Sequence, residues 1–110
     1  MARPFVPGSG DIVWVSFSPQ AGREQSGLRP AVVLSPSEYN AKAGLMVCCP
    51  MTAQIKGYPF EVLIEGQTRS VVLADHVKNV DWRARKAKLK GKISDAELAE
   101  VRGKLRALLG

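Results

Sequence analysis

Short apolar segments, separated by proline, glycine and polar residues, recur along most of this chain. They are shorter than typical helices, and several are rich in β-branched side chains or alternate apolar with polar residues, which is typical of β-strands. The predicted strands are residues 11–17, 30–34, 45–51, 60–64, 70–74 and 77–80. A chain divided in this way favours a mainly β fold over a helical bundle.

Helical signals are confined to two places. Residues 37–44 can form one short helical turn, with Ser37 as a possible cap. A stronger signal comes from Ser94-Asp95-Ala96-Glu97, a capping-box pattern that predicts a helix over residues 95–109. Its apolar stripe indicates core packing or a dimer seam; the stripe consists of Leu98, Val101, Leu105 and Leu108. Several short strands followed by one terminal helix predict a small, strongly bent antiparallel barrel.

The buried strand at residues 30–34 follows a polar, glycine-bearing stretch that ends in Arg29. A guanidinium at the first residues of a buried strand is poorly hydrated, and proteins use such an arrangement to hold phosphate or carboxylate. The other interpretation is a structural arginine paired with a nearby acid. The strand alone leaves both open.

Length and charge restrict the class of protein. A chain of 110 residues predicts one domain spanning residues 1–110. A net charge of +6 favours an anionic partner, which is a nucleic acid, an acidic protein or an anionic membrane surface. No apolar run approaches the ~20 residues of a membrane span, and residues 1–10 lack the apolar core of a signal peptide. We therefore expect a cytoplasmic protein.

Residues 83–92 are the most basic segment, with six cations and no acids. If the segment is a strand, its lysines share one face; they are Lys86, Lys88, Lys90 and Lys92. A solvated edge strand is the favoured interpretation, because lysines commonly protect the edge of a sheet from pairing. Such a strand would still attract a polyanion at long range.

The usual catalytic motifs are absent, including the P-loop, His-Glu-x-x-His, Cys-x-x-Cys and Gly-x-Ser-x-Gly. Cys48 and Cys49 are adjacent, so in a strand they point to opposite faces and are predicted to be reduced strand residues. His76, the only histidine, is more often structural than catalytic in the strand context predicted for it. No cluster of metal ligands is evident, and we predict no cofactor.

A reaction on RNA that needs no metal remains possible. The 2′-OH of RNA can attack the adjacent phosphorus, and the protein then supplies a proton acceptor, a proton donor and positive charge. Arg29 can supply the charge through a bidentate fork. Thr52 can donate a hydrogen bond to a phosphate oxygen, and Glu24 can accept a proton.

Four blocks of sequence occur in the order and spacing of a known family. They are Gly-Asp-Ile-Val-Trp-Val at 10–15, Arg-Pro-Ala-Val-Val-Leu-Ser-Pro at 29–36, Thr52 with Lys-Gly-Tyr-Pro-Phe-Glu-Val at 56–62, and Leu-Ala-Asp-His-Val-Lys at 73–78. Through them the chain resembles the MazF/PemK family of toxin–antitoxin ribonucleases over nearly its whole length.

The resemblance implies an SH3-like small barrel of the CcdB/PemK type with a terminal helix, working as a homodimer. It implies a sequence-specific, metal-independent endoribonuclease that cuts single-stranded RNA, mainly mRNA. The products would be a 2′,3′-cyclic phosphate or 3′-phosphate and a 5′-OH. It also implies a cognate antitoxin whose acidic, partly disordered tail occupies the RNA groove, and the net charge of +6 suits both ligands.

Site residues follow from the same resemblance. Arg29 and Thr52 match the family's catalytic positions, and Glu24 matches a position that contributes in some members. A guanidinium titrates above pH ~12, so we expect Arg29 to stabilise charge, with any role in proton transfer left open. Relatives often carry Gln at the position of His76, which indicates that the imidazole is not required. The positions along the RNA path are Asn40, Lys56 and Lys78.

Two other classes of function stay open from the sequence. One is a non-enzymatic inhibitor on the same fold, like the CcdB toxins that poison DNA gyrase. The other is a barrel that binds RNA with a steep salt dependence but leaves it uncut. Base recognition is predicted to lie in two connections, residues 18–28 and 53–59.

Overall fold

Antiparallel pairing joins the short strands into one bent sheet. The structure is a computed structural model, and it describes residues 4–16, 28–66 and 68–110. Glu24 and almost all of the predicted 18–28 connection lie outside the described residues. The strands are β1 Asp11–Ser16, β2 Leu28–Val33, β3 Leu45–Thr52, β4 Glu61–Ile64, β5 Ser70–Leu73, β6 Lys78–Asp81 and β7 Lys88–Lys92. The helices are α1 Ser37–Ala43 and α2 Asp95–Leu109, with a 3-10 turn at Ala74–His76.

Strand β3 is the centre of the sheet, whose order in the described part is β4-β5-β3-β2-β1-β7. One edge of β3 pairs with β2. Its other edge pairs first with β6, up to Cys48 opposite Lys78, and then with β5, where Thr52 lies opposite Val71. This change of partner along one long strand bends the sheet into a half-barrel, where the sequence predicted a small, strongly bent barrel. The predicted mainly β fold with a C-terminal helix is confirmed.

Alternation along the strands divides the buried side chains between two cores. The helix-side core lies against α2 and includes Ile12, Val32, Cys49, Met51, Leu98 and Val101. The arm-side core packs against Phe5 and Val6 near the N-terminus and includes Val13, Val15, Ala31, Val33, Cys48 and Trp82. Cys48 and Cys49 are both free and buried, in opposite cores, as predicted. Burial raises the pKa of Cys48 to about 11 and that of Cys49 to about 12, so both remain thiols at neutral pH.

Helix α2 begins and ends where the sequence predicts. The Ser94 hydroxyl accepts the Glu97 N–H at 3.0 Å, and Glu97 accepts the Ser94 N–H at 2.8 Å, so the capping box is confirmed. The apolar stripe packs on the core as far as Leu105, whereas Leu108 is 45% exposed. In the parts of the chain described, no helix combines the length and apolar character needed to cross a membrane.

Several local predictions need correction. Ser37 does not cap α1: it is the first helical residue, and Pro36 occupies the cap position without a side-chain hydrogen bond. Leu28 was expected in a connection but begins β2. His76 was expected in a strand, yet it lies in the 3-10 turn between β5 and β6, with its side chain 52% exposed. Each error arises at an element boundary, where capping and turn geometry outweigh the apolar pattern.

The basic segment forms an edge strand, as favoured above, but its lysines do not share one face. Lys86 precedes β7 and has a positive φ of 56°. Pairing of β7 with β1 shifts register between Ile12 and Val13. As a result, Lys92 lies opposite Asp11 and Lys88 opposite Trp14, two positions whose side chains point to different faces. Lys92 forms an ion pair with Asp11 at 3.1 Å.

Candidate active site

Two of the predicted catalytic residues lie at the same end of the sheet. Arg29 is the second residue of β2, and Thr52 is the last residue of β3. These strands pair with Ala31 opposite Pro50, Val32 opposite Cys49 and Val33 opposite Cys48. The recorded pairing ends at Ala31 and Pro50, and both strands continue two residues beyond it, to Arg29 on β2 and Thr52 on β3. The two residues therefore lie at the same end of the β2–β3 pair although they are far apart in sequence.

The side chains of Arg29 and Thr52 also share a face. Arg29 alternates in step with Ala31 and Val33, and Thr52 alternates in step with Cys48, all of which point to the arm side. The guanidinium and the hydroxyl thus project from the same surface of adjacent strands.

The Thr52 hydroxyl is arranged to donate a hydrogen bond. Its oxygen accepts the backbone N–H of Gln54 at 3.1 Å. A hydroxyl that already accepts one hydrogen bond still carries its own proton, which it can donate to a ligand oxygen. Thr52 is half-buried, so the hydroxyl is reachable from solvent while its backbone stays in the strand.

Arg29 is exposed. Among residues 4–16, 28–66 and 68–110, it forms no ion pair or hydrogen bond through its guanidinium. The structural interpretation, an arginine paired with an acid, therefore finds no partner within these ranges. The ligand-binding interpretation is the one that this placement favours.

Lys78 adds positive charge to the same face. It lies directly opposite Cys48, an arm-side residue, so its side chain leaves β6 on the arm side. Burial raises the pKa of Cys48, and the nearby charges of Lys78 and Arg85 partly oppose that rise. Both cations are therefore close to the thiol. Arg85 also donates from Nη1 to the Ser16 carbonyl at 3.0 Å.

Sequence reasoning did not single out Arg85 as a site residue. It was one of six cations in the basic segment, and nothing in the local pattern distinguishes it from the others. Only the fold shows that it turns back toward β1 while the lysines of β7 stay at the sheet edge.

Asn40 has a different position from the one that the resemblance implies. It is completely buried. Its amide nitrogen donates to the Pro7 carbonyl at 2.7 Å and to the Ser35 carbonyl at 3.1 Å, and its amide oxygen accepts the Ser35 hydroxyl at 2.6 Å. Its backbone carbonyl accepts the Trp82 indole N–H at 2.9 Å. These contacts join the N-terminal arm, α1 and the arm-side core, so Asn40 has a structural role in this fold.

Lys56 is exposed in the connection between β3 and β4, residues 53–60, called here the β3–β4 loop. The loop starts at Thr52, so Lys56 lies close in sequence to the candidate hydroxyl. Backbone N–H groups of Lys56 and Gly57 donate to the Glu61 carboxylate at 3.1 and 2.9 Å. Glu61 was not predicted as a site residue, because its position in an apolar strand segment gives no sign that its carboxylate turns back to the loop.

Two candidates remain, Glu24 and His76. Glu24 lies outside the described residues. His76 is exposed, with Nε2 3.8 Å from the nearest carboxylate oxygen of Asp75. Within the described ranges, no three or more His, Cys, Asp or Glu side chains cluster in a way that could hold a metal ion.

A family model, a sequence relative and a solved structure that resemble this chain all belong to one family. Residues 9–109 match the family model described as PemK-like, MazF-like toxin of type II toxin–antitoxin system. The endoribonuclease toxin MazF of Escherichia coli K12 is 51% identical over 111 residues, covering 100% of both chains. The crystal structure of MazF from Deinococcus radiodurans is 52% identical, covers 97% of this chain and 99% of its own, and superposes with a TM-score of 0.87.

A chain in a crystal structure of MazE–MazF is also similar to this one. The MazE–MazF crystal structure (Form-III) from Deinococcus radiodurans contains a chain that is 51% identical to this one, with a TM-score of 0.89. It covers 96% of this chain and 98% of its own.

Proposed function

The chain belongs to the PemK-like, MazF-like toxin family of type II toxin–antitoxin systems, and we propose that it is a sequence-specific, metal-independent endoribonuclease. Its substrate is single-stranded RNA, mainly mRNA, so cleavage inhibits translation and growth. It acts in the cytoplasm, where mRNA is translated, and residues 1–110 form a single toxin domain. Its relatives named above are an endoribonuclease toxin and MazF chains, which supports this substrate and reaction.

The proposed reaction uses the RNA's own nucleophile. The 2′-oxygen forms a bond to the adjacent phosphorus, the bond from phosphorus to the 5′-oxygen breaks, and a 2′,3′-cyclic phosphate and a 5′-OH result. The 2′-OH proton passes to a base, for which Glu24 is the candidate, and the leaving 5′-oxygen receives a proton. The cyclic phosphate can then hydrolyse to a 3′-phosphate. No step in this scheme requires a metal ion.

Arg29 and Thr52 stabilise the charge that develops on the phosphate oxygens. A guanidinium presents two parallel N–H donors to phosphate, and a fixed hydroxyl adds a third. The observation that supports this proposal is the placement of the two residues on the same face, Arg29 at the start of β2 and Thr52 at the end of β3. Because the strands hold them in place before substrate arrives, little reorganisation is needed during the reaction.

The RNA path follows the cationic arm-side face. Lys78 and Arg85 lie near Cys48 on that face, and Lys56 is exposed on the loop that begins at Thr52. Asn40 is left out of the proposed path because it is buried. His76 is exposed and close in sequence to Lys78, so it can tune base recognition without being required for cleavage.

The active form is proposed to be a homodimer. Beside the C-terminal end of α2 lies an apolar groove lined in part by Leu34, Val47, Leu105 and Leu109. Leu109 is 75% exposed and Leu108 is 45% exposed. An apolar surface at this position supports the interpretation of the helix stripe as a dimer seam over its last turn.

The proposed protein partner is a cognate antitoxin with an acidic, partly disordered tail. The similar MazE–MazF complexes and the net charge of +6 support it. If the tail occupies the RNA groove, a saturating amount of antitoxin peptide blocks cleavage. Cleavage that continues under saturation would rule out a shared groove.

Incubation with a long single-stranded RNA in EDTA tests the function. We expect discrete cuts with 5′-OH ends, mapped by 5′-end sequencing, from the wild-type protein. Thr52→Val removes the hydroxyl at nearly constant volume, and we expect kcat to fall about 10²-fold, the loss typical of one transition-state hydrogen-bond donor. Thr52→Ser is the matched control and retains most activity. Intact RNA from folded, antitoxin-free protein would contradict the proposal and favour an RNA-binding barrel. The comparisons give no support to a gyrase inhibitor.

A further inference from the structure

The β3–β4 loop exposes side chains that are usually buried. Tyr58 is 52% exposed and Ile55 is 45% exposed, and the two flank Lys56 and Gly57. An aromatic ring and an aliphatic side chain beside a lysine form a composition typical of surfaces that bind single-stranded nucleic acid, where bases stack on rings and cations contact the backbone. The loop leads directly from Thr52, so these side chains lie three to six residues from the candidate hydroxyl in the sequence.

This exposed loop is nevertheless held by a buried acid. Glu61 is only 9% exposed. One carboxylate oxygen, Oε2, accepts the Lys56 N–H at 3.1 Å, and the other, Oε1, accepts the Gly57 N–H at 2.9 Å. Gly57 has a φ of 85°, in the left-handed region, which lets the two consecutive N–H groups converge on one anion. A carboxylate with both oxygens engaged in this way fixes the turn that precedes Tyr58.

Three further hydrogen bonds fix the ends of the loop. At its start, the Gln54 N–H donates to the Thr52 hydroxyl at 3.1 Å. At its end, the Lys104 ammonium of α2 donates to the Pro59 carbonyl and to the Glu61 carbonyl, the latter at 3.2 Å. The loop is therefore held from β3, from β4 and from α2, while its large side chains remain in solvent.

Resting on the proposed ribonuclease function, we infer that the β3–β4 loop is a preformed platform on which one unstacked RNA base stacks against Tyr58, and that Glu61 is the positioning residue that holds it. Glu61 touches no substrate. Its backbone partners are occupied by the carboxylate, so the loop contacts RNA through the side chains of Tyr58 and Lys56. The two N–H groups of Lys56 and Gly57 point at the carboxylate and partly compensate its negative charge.

The first experiment measures KM and kcat on a short RNA whose cut site has been mapped. Tyr58→Ala is expected to raise KM about 10-fold, the range that loss of one stacked base produces, with kcat changed less than about threefold. Tyr58→Phe keeps the ring and is expected to match wild type. Glu61→Gln keeps the shape but replaces one acceptor oxygen with a donor, so KM rises in the same direction. Glu100→Gln, an equal charge change at an exposed position of α2, is the control.

A fluorescence readout separates positioning from general loss of structure. The same RNA carries 2-aminopurine in turn at each base around the cut and a 2′-deoxy sugar that prevents cleavage. Stacking on Tyr58 quenches this base at one position, and the quenching is lost in Tyr58→Ala and reduced in Glu61→Gln. Urea unfolding of each variant shows whether the fold is retained. If Glu61→Gln does not fold, Lys104→Met loosens the other end of the loop and is measured against Lys42→Met.

A double-mutant cycle decides whether Glu61 acts through Tyr58. In the Tyr58→Ala background, Glu61→Gln is expected to change KM less than about twofold, because the stacking ring is already gone. Independent, multiplying effects would overturn the positioning role, and unchanged KM and quenching in Tyr58→Ala would overturn the platform. Wild-type protein that leaves RNA intact would instead contradict the ribonuclease proposal on which both depend.

Discussion

Arg29 and Asn40 are both polar residues that the family resemblance connects with RNA, yet the fold treats them in opposite ways. Arg29 is exposed at the end of β2, facing the same side of the sheet as Thr52. Asn40 is fully buried, and its amide makes three hydrogen bonds, to the Ser35 hydroxyl and to two backbone carbonyls. A polar side chain with satisfied, buried bonds stabilises the fold, whereas one left exposed beside a second donor is placed for a ligand.

The largest expected effect separates these two roles in activity. Arg29→Ala removes the charge that we propose faces the scissile phosphate, so we expect kcat/KM for RNA cleavage to fall about 10³-fold. The free energy of unfolding should change by less than about 0.5 kcal/mol, as for other exposed substitutions. Single-turnover cleavage and urea denaturation measure the two quantities.

Two further variants sharpen the result at Arg29. Arg29→Lys keeps the charge but loses the bidentate fork, and we expect it to recover only part of the activity. Lys42→Ala removes one positive charge from an exposed position of α1 and should leave cleavage close to wild type. Equal losses in Arg29→Ala and Lys42→Ala would mean that only net charge matters.

The reverse pattern is expected at Asn40. Asn40→Ala removes the acceptor of the Ser35 O–H, which keeps only the N–H of Val47 that it accepts, and it leaves the buried Pro7 and Ser35 carbonyls without the amide donor. We expect the free energy of unfolding to fall by about 3 kcal/mol. Activity per folded molecule should be unchanged at a temperature where the variant is folded. Asn79→Ala is the control, since its exposed amide bonds only to the exposed Tyr39 hydroxyl. A stable Asn40→Ala protein with impaired cleavage would reverse the assignment.

Removal of the Lys78 charge tests whether the arm-side face attracts RNA electrostatically. Its effect should be smaller than the effects expected at Arg29 and Asn40. Lys78→Ala should weaken binding of a 2′-deoxy-blocked RNA a few-fold and lower the slope of log affinity against log salt by about 0.7, the contribution of one phosphate contact on a single strand. Fluorescence anisotropy over a salt series measures both. Lys42→Ala on α1 is the matched change, and an identical slope for the two variants would place Lys78 off the RNA path.

The sequence is informative wherever a repeating pattern decides the structure. Period-two alternation assigned Cys48 and Cys49 to opposite cores, and the capping box placed the start of α2 at Asp95. The register of the strands could not be predicted from the sequence, because strand pairing depends on segments that are distant along the chain. Only the fold shows that Arg29 and Thr52 lie on the same face. The contact between Glu61 and the β3–β4 loop was equally hidden, since a glutamate at the edge of an apolar strand looks like an ordinary solvent-facing residue.

The prediction that the lysines of the basic segment share one face was wrong for the same reason, because it depended on strand register. A regular strand would align Lys86, Lys88, Lys90 and Lys92 on one face. One register shift against β1 and one positive φ at Lys86 are enough to break this alignment. Such irregularities depend on how the twisted edge meets β1, and the lysine pattern carries no signal for them.

The capping box of α2 is intermediate between exposed Arg29 and buried Asn40, because its hydrogen bonds are formed but its side chains are at most partly buried. The smallest effect is expected there. Desolvation raises the pKa of Glu97, but hydrogen bonds from the backbone N–H groups of Ser94 and Glu65 outweigh it and leave the pKa lowered. A lowered pKa in the folded state means that the stabilisation is present above the unfolded pKa, near 4.5, and is lost as pH falls through the folded pKa. Ser94→Ala should cost about 1 kcal/mol of unfolding free energy at pH 7.

Glu97→Gln isolates the charge in this arrangement. Its destabilisation relative to wild type should be largest near pH 7 and should shrink as the pH falls below 4.5 and then through the lowered folded-state pKa, where the wild-type carboxyl becomes protonated as well. Urea unfolding of both proteins across this range measures the difference, with Glu100→Gln as the matched change on the same helix. A difference that stayed constant with pH would show that the charge of Glu97 contributes nothing. In that case Glu97 would stabilise the helix through its shape and hydrogen bonds alone, as the neutral amide of Asn40 does in the core.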